Sequence, residues 1–95
     1  MGGSPVPIGG ALQEALRAQG LGFLLYEQKL REKWETVVGG PAAKVASLES
    51  LKDFVLHVRV EGAVWRNELH YQREAIQKRA NEVLGAEIVR EIRLR

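Results

Sequence analysis

The segment from Phe54 to Glu61 is the feature of this chain that most restricts its fold. Apolar and polar side chains alternate along it, with Phe54, Leu56, Val58 and Val60 on one face and Val55, His57, Arg59 and Glu61 on the other. A period of two residues predicts a β-strand that packs one face on a core and turns the other to water. This pattern is typical of an antiparallel sheet that is covered on a single side.

One helix is predicted before this strand and a second one after it. Apolar residues recur at spacings of three and four over about 23–38, and Gly39-Gly40-Pro41 ends that helix. A second, longer helix is predicted over about 63–84, and Gly85 ends it. Trp34 and Trp65 fall on the apolar stripes of these helices, so both are predicted to pack in the core.

The remaining elements follow from the same two periods. The pattern predicts a short helix from about residue 8 or 11 to 20, a further helical turn over 41–45, a strand over 45–51 that Lys52-Asp53 connects to the next, and a last strand over 88–95. In the last strand Ile88, Ile92 and Leu94 are expected to face inward and Val89 outward. The order α-α-β-β-α-β predicts an α+β fold of two layers, with helices on one face of a three-stranded sheet. Residues 1–10 are expected to form a flexible N-terminal arm and residues 11–95 a single domain.

The composition excludes several classes of function. The 95 residues include no cysteine, which excludes disulfides, thiolate zinc sites and thiol catalysis. No apolar run approaches the roughly 20 residues that span a bilayer, and the N-terminus lacks a secretory signal, so a cytoplasmic protein without a membrane partner is expected. No nucleophile elbow, Walker motif or zincin spacing is present, and His57 and His70 have no further ligands at metal-binding spacing. The sequence therefore predicts a binding protein without enzyme activity, cofactor, metal or small-molecule substrate.

The excess of basic over acidic residues lies in the second half of the chain. The formal net charge is +2, and the pI of about 9.2 is compatible with nucleic-acid binding without requiring it. The candidate nucleic-acid-binding residues are Arg66, His70 and Arg73 along one helix edge and Arg59, Arg93 and Arg95 on the outer sheet face. The alternative is an ordinary solvated surface, because Glu61, Glu68, Glu74 and Glu91 offset these charges. Since both tryptophans are assigned to the core, binding is expected to be electrostatic, weakly sequence-selective and sensitive to salt.

Three segments together resemble one protein family. They are Trp34…Val38-Gly39, Leu56-x-Val58-x-Val60 and Trp65-x-x-Glu68-Leu69, and Asn81, Gly85 and the closing Val89-x-x-Ile92-x-Leu94 agree with them. In order and spacing they are similar to the DciA-type bacterial replicative-helicase loaders, over about residues 12–94.

The resemblance implies a K-homology-like fold in its type II arrangement. It also implies that the protein binds the hexameric replicative helicase and single-stranded DNA at the nucleoid and promotes helicase loading. K-homology domains that bind RNA clamp the backbone with a Gly-x-x-Gly loop. The predicted helix over 63–84 contains no glycine, so clamp-type RNA binding is not expected. The alternatives are a K-homology-like RNA- or ribosome-associated module and a protein adaptor that does not touch nucleic acid.

Overall fold

The computed structural model describes residues 22–95, and the predicted arm and first helix lie outside them. The elements follow in the order α1 (Gly22–Glu32), α2 (Trp34–Val38), α3 (Gly40–Ala43), β1 (Ala46–Lys52), β2 (Val55–Val60), α4 (Ala63–Tyr71), α5 (Arg73–Leu84) and β3 (Glu91–Leu94). The described part is therefore a small α+β domain, as predicted. The short helix α3 carries Pro41 in its first turn, where the missing N–H of proline leaves no intrahelical bond unmade.

The three strands form one mixed sheet in the order β1-β2-β3. β1 and β2 are an antiparallel hairpin, whereas β2 and β3 are parallel. The expectation of an antiparallel sheet therefore holds for the hairpin alone. The pairing of β3 is parallel because α4 and α5 carry the chain back to the end of the sheet at which β2 begins.

The core lies between the sheet and the helices. In β2 the predicted alternation is confirmed, since Leu56 and Val58 are buried and Arg59 is exposed. The helices contribute Leu30, Val37, Leu69, Ile76 and Ala80 to the same buried cluster. Both tryptophans pack against this cluster but are only partly buried. The indole Nε1 of Trp34 donates a hydrogen bond of 2.8 Å to the carbonyl oxygen of Ala46, which satisfies its polar atom at the edge of the core.

Each of the two predicted long helices is broken once, so their prediction as single helices is wrong. The first breaks at Lys33 (φ −116°, ψ 27°) and the second at Gln72 (φ −95°, ψ 9°). At the second break the chain changes partners, because α4 packs on β2 and β3 while α5 also contacts α1 and α2. The break lets the two halves cover different parts of the core.

The last strand is shorter than predicted and begins differently. It covers Glu91–Leu94, and Val89, which was expected to face outward, is 1 % exposed. The side chain of Asn81 accounts for this difference. Its Oδ1 accepts hydrogen bonds from the backbone N–H of Ile88 and Val89 at 3.0 and 2.8 Å, and its Nδ2 donates to the oxygen of Val89 at 3.0 Å. These bonds hold the residues before β3 in an inward loop.

The hairpin turn also differs by one residue from the prediction. Asp53 and Phe54 have φ values of 54° and 66°, so Phe54 lies in the turn and β2 begins at Val55. Two consecutive residues with positive φ are typical of a type I′ turn, whose twist matches that of the strands it joins.

Helix α1 covers the outer edge of β1 through two charged side chains. The guanidinium of Arg31 donates to the backbone oxygens of Leu48 at 2.7 Å and Glu49 at 3.2 Å, and Glu27 accepts from the N–H of Leu51 at 2.9 Å. Glu27 and Arg31 also form an ion pair of 3.1 Å. The contacts centre on a β-bulge between Leu48 and Ser50, where backbone groups are left without a ladder partner.

Candidate nucleic-acid interface

An open groove of ≈ 590 Å³ runs between α4 and β3. It is lined by Ala63, Arg66, Asn67, His70, Arg73, Ile92, Arg93 and Leu94. Four of the six candidate residues from the sequence therefore lie around one surface feature. We call it the α4–β3 groove.

A smaller hollow of ≈ 270 Å³ adjoins this groove. Its lining residues are Arg59, Val60, Arg66 and Arg95, so Arg66 borders both spaces. The structure thus places all six candidates around two neighbouring depressions. Their role in binding stays a prediction.

The helical part of the groove follows from local sequence. Gly62 has a φ of 92°, a conformation that glycine adopts easily, and α4 begins directly after it. Arg66, His70 and Arg73 then recur at spacings of four and three, which brings them to one side of a helix. Leu69, about 60° around the helix from Arg66, is buried and packs α4 on the core.

Arg66 and Arg73 are held by neutral groups. Arg66 donates to the backbone oxygen of Val60 at 3.1 Å, and Arg73 donates through Nε to the backbone oxygen of His70 at 2.8 Å. Neither forms an ion pair with a residue of 22–95. Backbone carbonyls orient a guanidinium without neutralising its charge, so both side chains keep donors and a full charge for an anion.

Arg93 and Arg95, in contrast, are paired with carboxylates. Arg93 forms an ion pair of 2.8 Å with Glu91. Arg95 donates two hydrogen bonds to the carboxylate of Glu49, at 2.7 and 2.6 Å. The hydrogen bond from Arg95 lowers the pKa of Glu49, and the one from Arg93 lowers the pKa of Glu91. An incoming phosphate would have to compete with these carboxylates.

Arg59 is exposed on the outer face of the sheet. It forms no ion pair with any residue that the structure describes. Among the six candidates, the arginines that have no carboxylate partner in residues 22–95 are therefore Arg59, Arg66 and Arg73, with His70 between the last two along the helix.

Sequence reasoning missed several residues of this surface. Asn67, Ile92 and Leu94 line the groove, because the parallel pairing of β3 brings it beside a helix about 25 residues earlier in the chain. No local sequence pattern predicts that contact. Val64 and Tyr71 are also exposed on α4, but they do not line this groove.

Two other kinds of feature are absent from residues 22–95. No group of three or more His, Asp or Glu side chains there is placed to hold a metal ion. No helix in the same range is long and apolar enough to cross a membrane.

Comparison with known proteins identifies the family. No curated protein matches the chain. The family model described as "DciA: Dna[CI] antecedent, DciA" matches residues 7–94, which is nearly the whole chain. The predicted resemblance to helicase loaders is confirmed by this match. The chain belongs to the DciA family, whose role is related to helicase loading in DNA replication.

Proposed function

We propose that this chain is a non-enzymatic accessory protein that binds the hexameric replicative helicase and single-stranded DNA and so promotes helicase loading. The family supports the association with the helicase. The observation that carries the DNA-binding part is the pair Arg66 and Arg73, two cations without a carboxylate partner among the described residues, on one wall of an open groove.

The shape and spacing of the groove suit an extended chain of phosphates. Arg66 and Arg73 are seven residues apart, which is about 10 Å along a helix at roughly 1.5 Å per residue. A single strand can follow such a groove because its backbone is flexible and charged on every nucleotide. Contacts to phosphate carry no base information, so binding has little sequence selectivity and weakens with salt.

Loading in this proposal uses binding energy alone. The sequence contains no Walker motif, so the chain itself has no sequence signature for hydrolysing ATP. A protein of this kind shifts the helicase toward an open or DNA-engaged state only by binding that state more tightly than the others. The simultaneous contact with ring and DNA supplies that preference.

The K-homology-like, type II-like interpretation of the fold is part of this proposal. It is supported by the order of hairpin, two consecutive helices and a final strand parallel to β2. The two glycines nearest the break at Gln72, Gly62 and Gly85, lie outside α4 and α5. A Gly-x-x-Gly backbone clamp therefore has no place between these helices, and the cationic side chains carry the contact with nucleic acid.

The DNA-binding part is tested with paired charge variants. We expect Arg66→Gln combined with Arg73→Gln to weaken binding of a fluorescent oligo-dT, measured by anisotropy at several salt concentrations. Losing two phosphate contacts should flatten the slope of log K against log [salt] by about 1.4, at roughly 0.7 per contact for single strands. The control is Lys29→Gln with Lys78→Gln, which removes the same charge from two exposed positions on α1 and α5.

The control variant should keep nearly the wild-type affinity and slope. Equal losses in both double variants would show that net charge rather than the α4–β3 groove controls binding, and would contradict the proposal. A structured RNA competitor that displaces oligo-dT at lower concentration than DNA does would favour the RNA-associated alternative. Co-elution of the chain with the helicase in size-exclusion chromatography, with and without oligo-dT, tests the helicase partner separately.

A further inference from the structure

The side of α4 that faces away from the groove carries two protruding apolar side chains. Val64 and Tyr71 are 83 % and 79 % exposed, whereas Leu24 and Leu25 on α1, two other exposed apolar side chains, are 52 % and 50 % exposed. Neither Val64 nor Tyr71 lines the α4–β3 groove or the hollow beside it. Side chains this exposed project from the surface and do not line a recess.

These two side chains share one side of the helix with Glu68. Successive residues of an α-helix are rotated by about 100°, so Val64 and Tyr71, which are seven residues apart, differ in direction by about 20°. Glu68 lies within about 60° of both. Arg66, in contrast, lies about 140–160° around the helix from them. We call the surface formed by Val64, Glu68 and Tyr71 the Val64–Tyr71 face.

This face differs from the groove in charge as well as in direction. The carboxylate of Glu68 accepts a hydrogen bond of 2.9 Å from the side chain of Gln72, a neutral group that leaves its charge in place. Glu68 forms no ion pair with a residue of 22–95. A carboxylate between two apolar side chains repels the phosphates of DNA and attracts a basic side chain. A protein therefore suits this face better than a nucleic acid does.

The spacing of the face matches a common mode of protein recognition. Positions i, i+4 and i+7 lie on one side of a helix, and helices use such positions to anchor in an apolar groove of a partner. Tyrosine is enriched among the residues that dominate binding energy at interfaces, so Tyr71 is the stronger of the two apolar anchors. Since the Val64–Tyr71 face protrudes, the partner has to supply the concave surface.

We propose that the Val64–Tyr71 face engages the replicative helicase by inserting into an apolar groove that is bordered by a lysine or arginine. This inference rests on the proposed function, and the helicase is the occupant because the family supports that association. DNA then lies on one side of α4 and the helicase on another. One helix of nine residues connects the two, so the protein can hold ring and strand at the same time.

The apolar part is tested with two matched pairs of substitutions. Val64→Ala with Tyr71→Ala removes both anchors, and Leu24→Ala with Leu25→Ala removes a similar pair from α1 as the control. Alanine favours helix and all four positions are exposed, so both variants should melt like wild type. We expect the Val64–Tyr71 variant to bind immobilised, purified helicase at least about tenfold more weakly, as for the loss of a central interface residue. The control should bind it like wild type.

The carboxylate is tested by reversing its charge. Glu68→Lys should weaken helicase binding more than Glu68→Gln does, because only the lysine repels a basic side chain of the partner. Equal affinities of these two variants would overturn the part of the inference that places a lysine or arginine beside the groove.

DNA binding distinguishes this inference from the proposed function. The Val64–Tyr71 variant should keep the wild-type affinity and salt slope for oligo-dT, whereas the Arg66 and Arg73 double variant should bind oligo-dT more weakly and keep the helicase. If the wild type binds the helicase and the Val64–Tyr71 variant binds it equally, or only as weakly as the α1 control, the inference is overturned while the proposed function stands. A wild type that does not bind the helicase overturns that part of the proposed function, and this inference with it.

Two further results would assign the face to another occupant. A Val64–Tyr71 variant that loses oligo-dT as strongly as the Arg66 and Arg73 double variant would place DNA on this face. A wild-type dimer in light scattering that the Val64–Tyr71 variant converts to a monomer would assign the face to a second copy of the chain. Either result overturns the inference.

Discussion

Phe54 shows how side-chain packing can hold a residue in an unfavourable backbone conformation. Its φ of 66° is a genuine outlier for a bulky side chain. The ring packs edge-on against Phe23 with centroids 5.0 Å apart, and the guanidinium of Arg90 lies 4.0 Å from its centroid. The backbone oxygen of Phe54 also accepts a 2.9 Å hydrogen bond from the N–H of Arg90. These contacts tie the hairpin turn to α1 and to the segment before β3.

Replacing Phe54 separates the packing from the backbone strain. Phe54→Ala removes the ring but keeps a Cβ at positive φ, whereas Phe54→Gly removes both. We expect both variants to be less stable than the wild type, and Phe54→Gly to be more stable than Phe54→Ala by about 1 kcal/mol. Urea denaturation measures the difference. A glycine variant that is less stable than the alanine variant would contradict the assigned turn.

The Glu49–Arg95 pair predicts a dependence of stability on acid pH. The hydrogen bonds from Arg95 lower the pKa of Glu49 from its ordinary value of 4.5. A carboxyl group whose pKa falls on folding stabilises the protein above its ordinary pKa, and this contribution is lost as the pH falls through the lowered value. Wild type should therefore exceed Glu49→Gln in thermal stability at pH 7, by a modest margin because the pair is exposed.

The stability advantage over Glu49→Gln should shrink as the pH falls below about 4.5. Arg95→Gln should show the same trend, and combining the two substitutions should add little, since each removes the same ion pair. Thermal melts from pH 7 to pH 3 measure all four proteins. An advantage that is constant over this range would mean that the pair does not form in solution.

At the scale of elements, the sequence predicts the helices and strands that depend on the local spacing of apolar residues. The alternation in β2 and the glycines after α2 and α5 predicted elements that the structure contains. The breaks at Lys33 and Gln72 were not predictable, because neither position carries a glycine or proline. They depend on which surfaces the helices on the two sides of each break must cover, and that is set by tertiary contacts.

The connection between α5 and β3 is held by two amide side chains, because Gln77 Nε2 also donates to the backbone oxygen of Val89, at 2.9 Å. Asn81 makes three hydrogen bonds to the backbone of Ile88 and Val89. Asn81→Ala leaves the part-buried N–H of Val89 without a partner, whereas the oxygen of Val89 keeps its bond from Gln77 and the N–H of Ile88 keeps its bond to Ala86. We expect this variant to reduce the free energy of unfolding by about 1–3 kcal/mol. Asn81→Asp keeps the acceptor oxygen but loses the donor, so its loss should be smaller at neutral pH. Chemical denaturation ranks the three proteins, and an alanine variant as stable as wild type would contradict this role.

The candidate site could be predicted only in part, because some of its features depend on tertiary contacts. Helical spacing was sufficient to place Arg66, His70 and Arg73 together. The pair of Arg93 with Glu91 is local, because both lie in β3. That Arg95 is paired with Glu49 depends on where β1 and β3 come to lie. Net charge therefore overestimates how many cations of this surface are available.

At the scale of the whole described molecule, the two edges of the sheet are unequal. The β1 edge is covered by α1 through Glu27 and Arg31. At β3, Arg95 exchanges backbone hydrogen bonds with β2 through its N–H and its C=O. In a parallel ladder the next groups in alternation, those of Ile92 and Leu94, point away from β2. This second edge borders the α4–β3 groove, so cations and strand groups that have no ladder partner in residues 22–95 lie on one side.

The central claim is that this one side carries DNA while the protein engages the helicase. The most direct measurement is loading of the purified replicative helicase onto circular single-stranded DNA, which has no end for a closed ring to thread. We predict that wild type increases the helicase recovered on the circles, whereas the Arg66→Gln, Arg73→Gln variant still co-elutes with helicase but loads much less of it. Wild type that adds no loaded helicase, or a double variant that loads as well as wild type, would contradict the account.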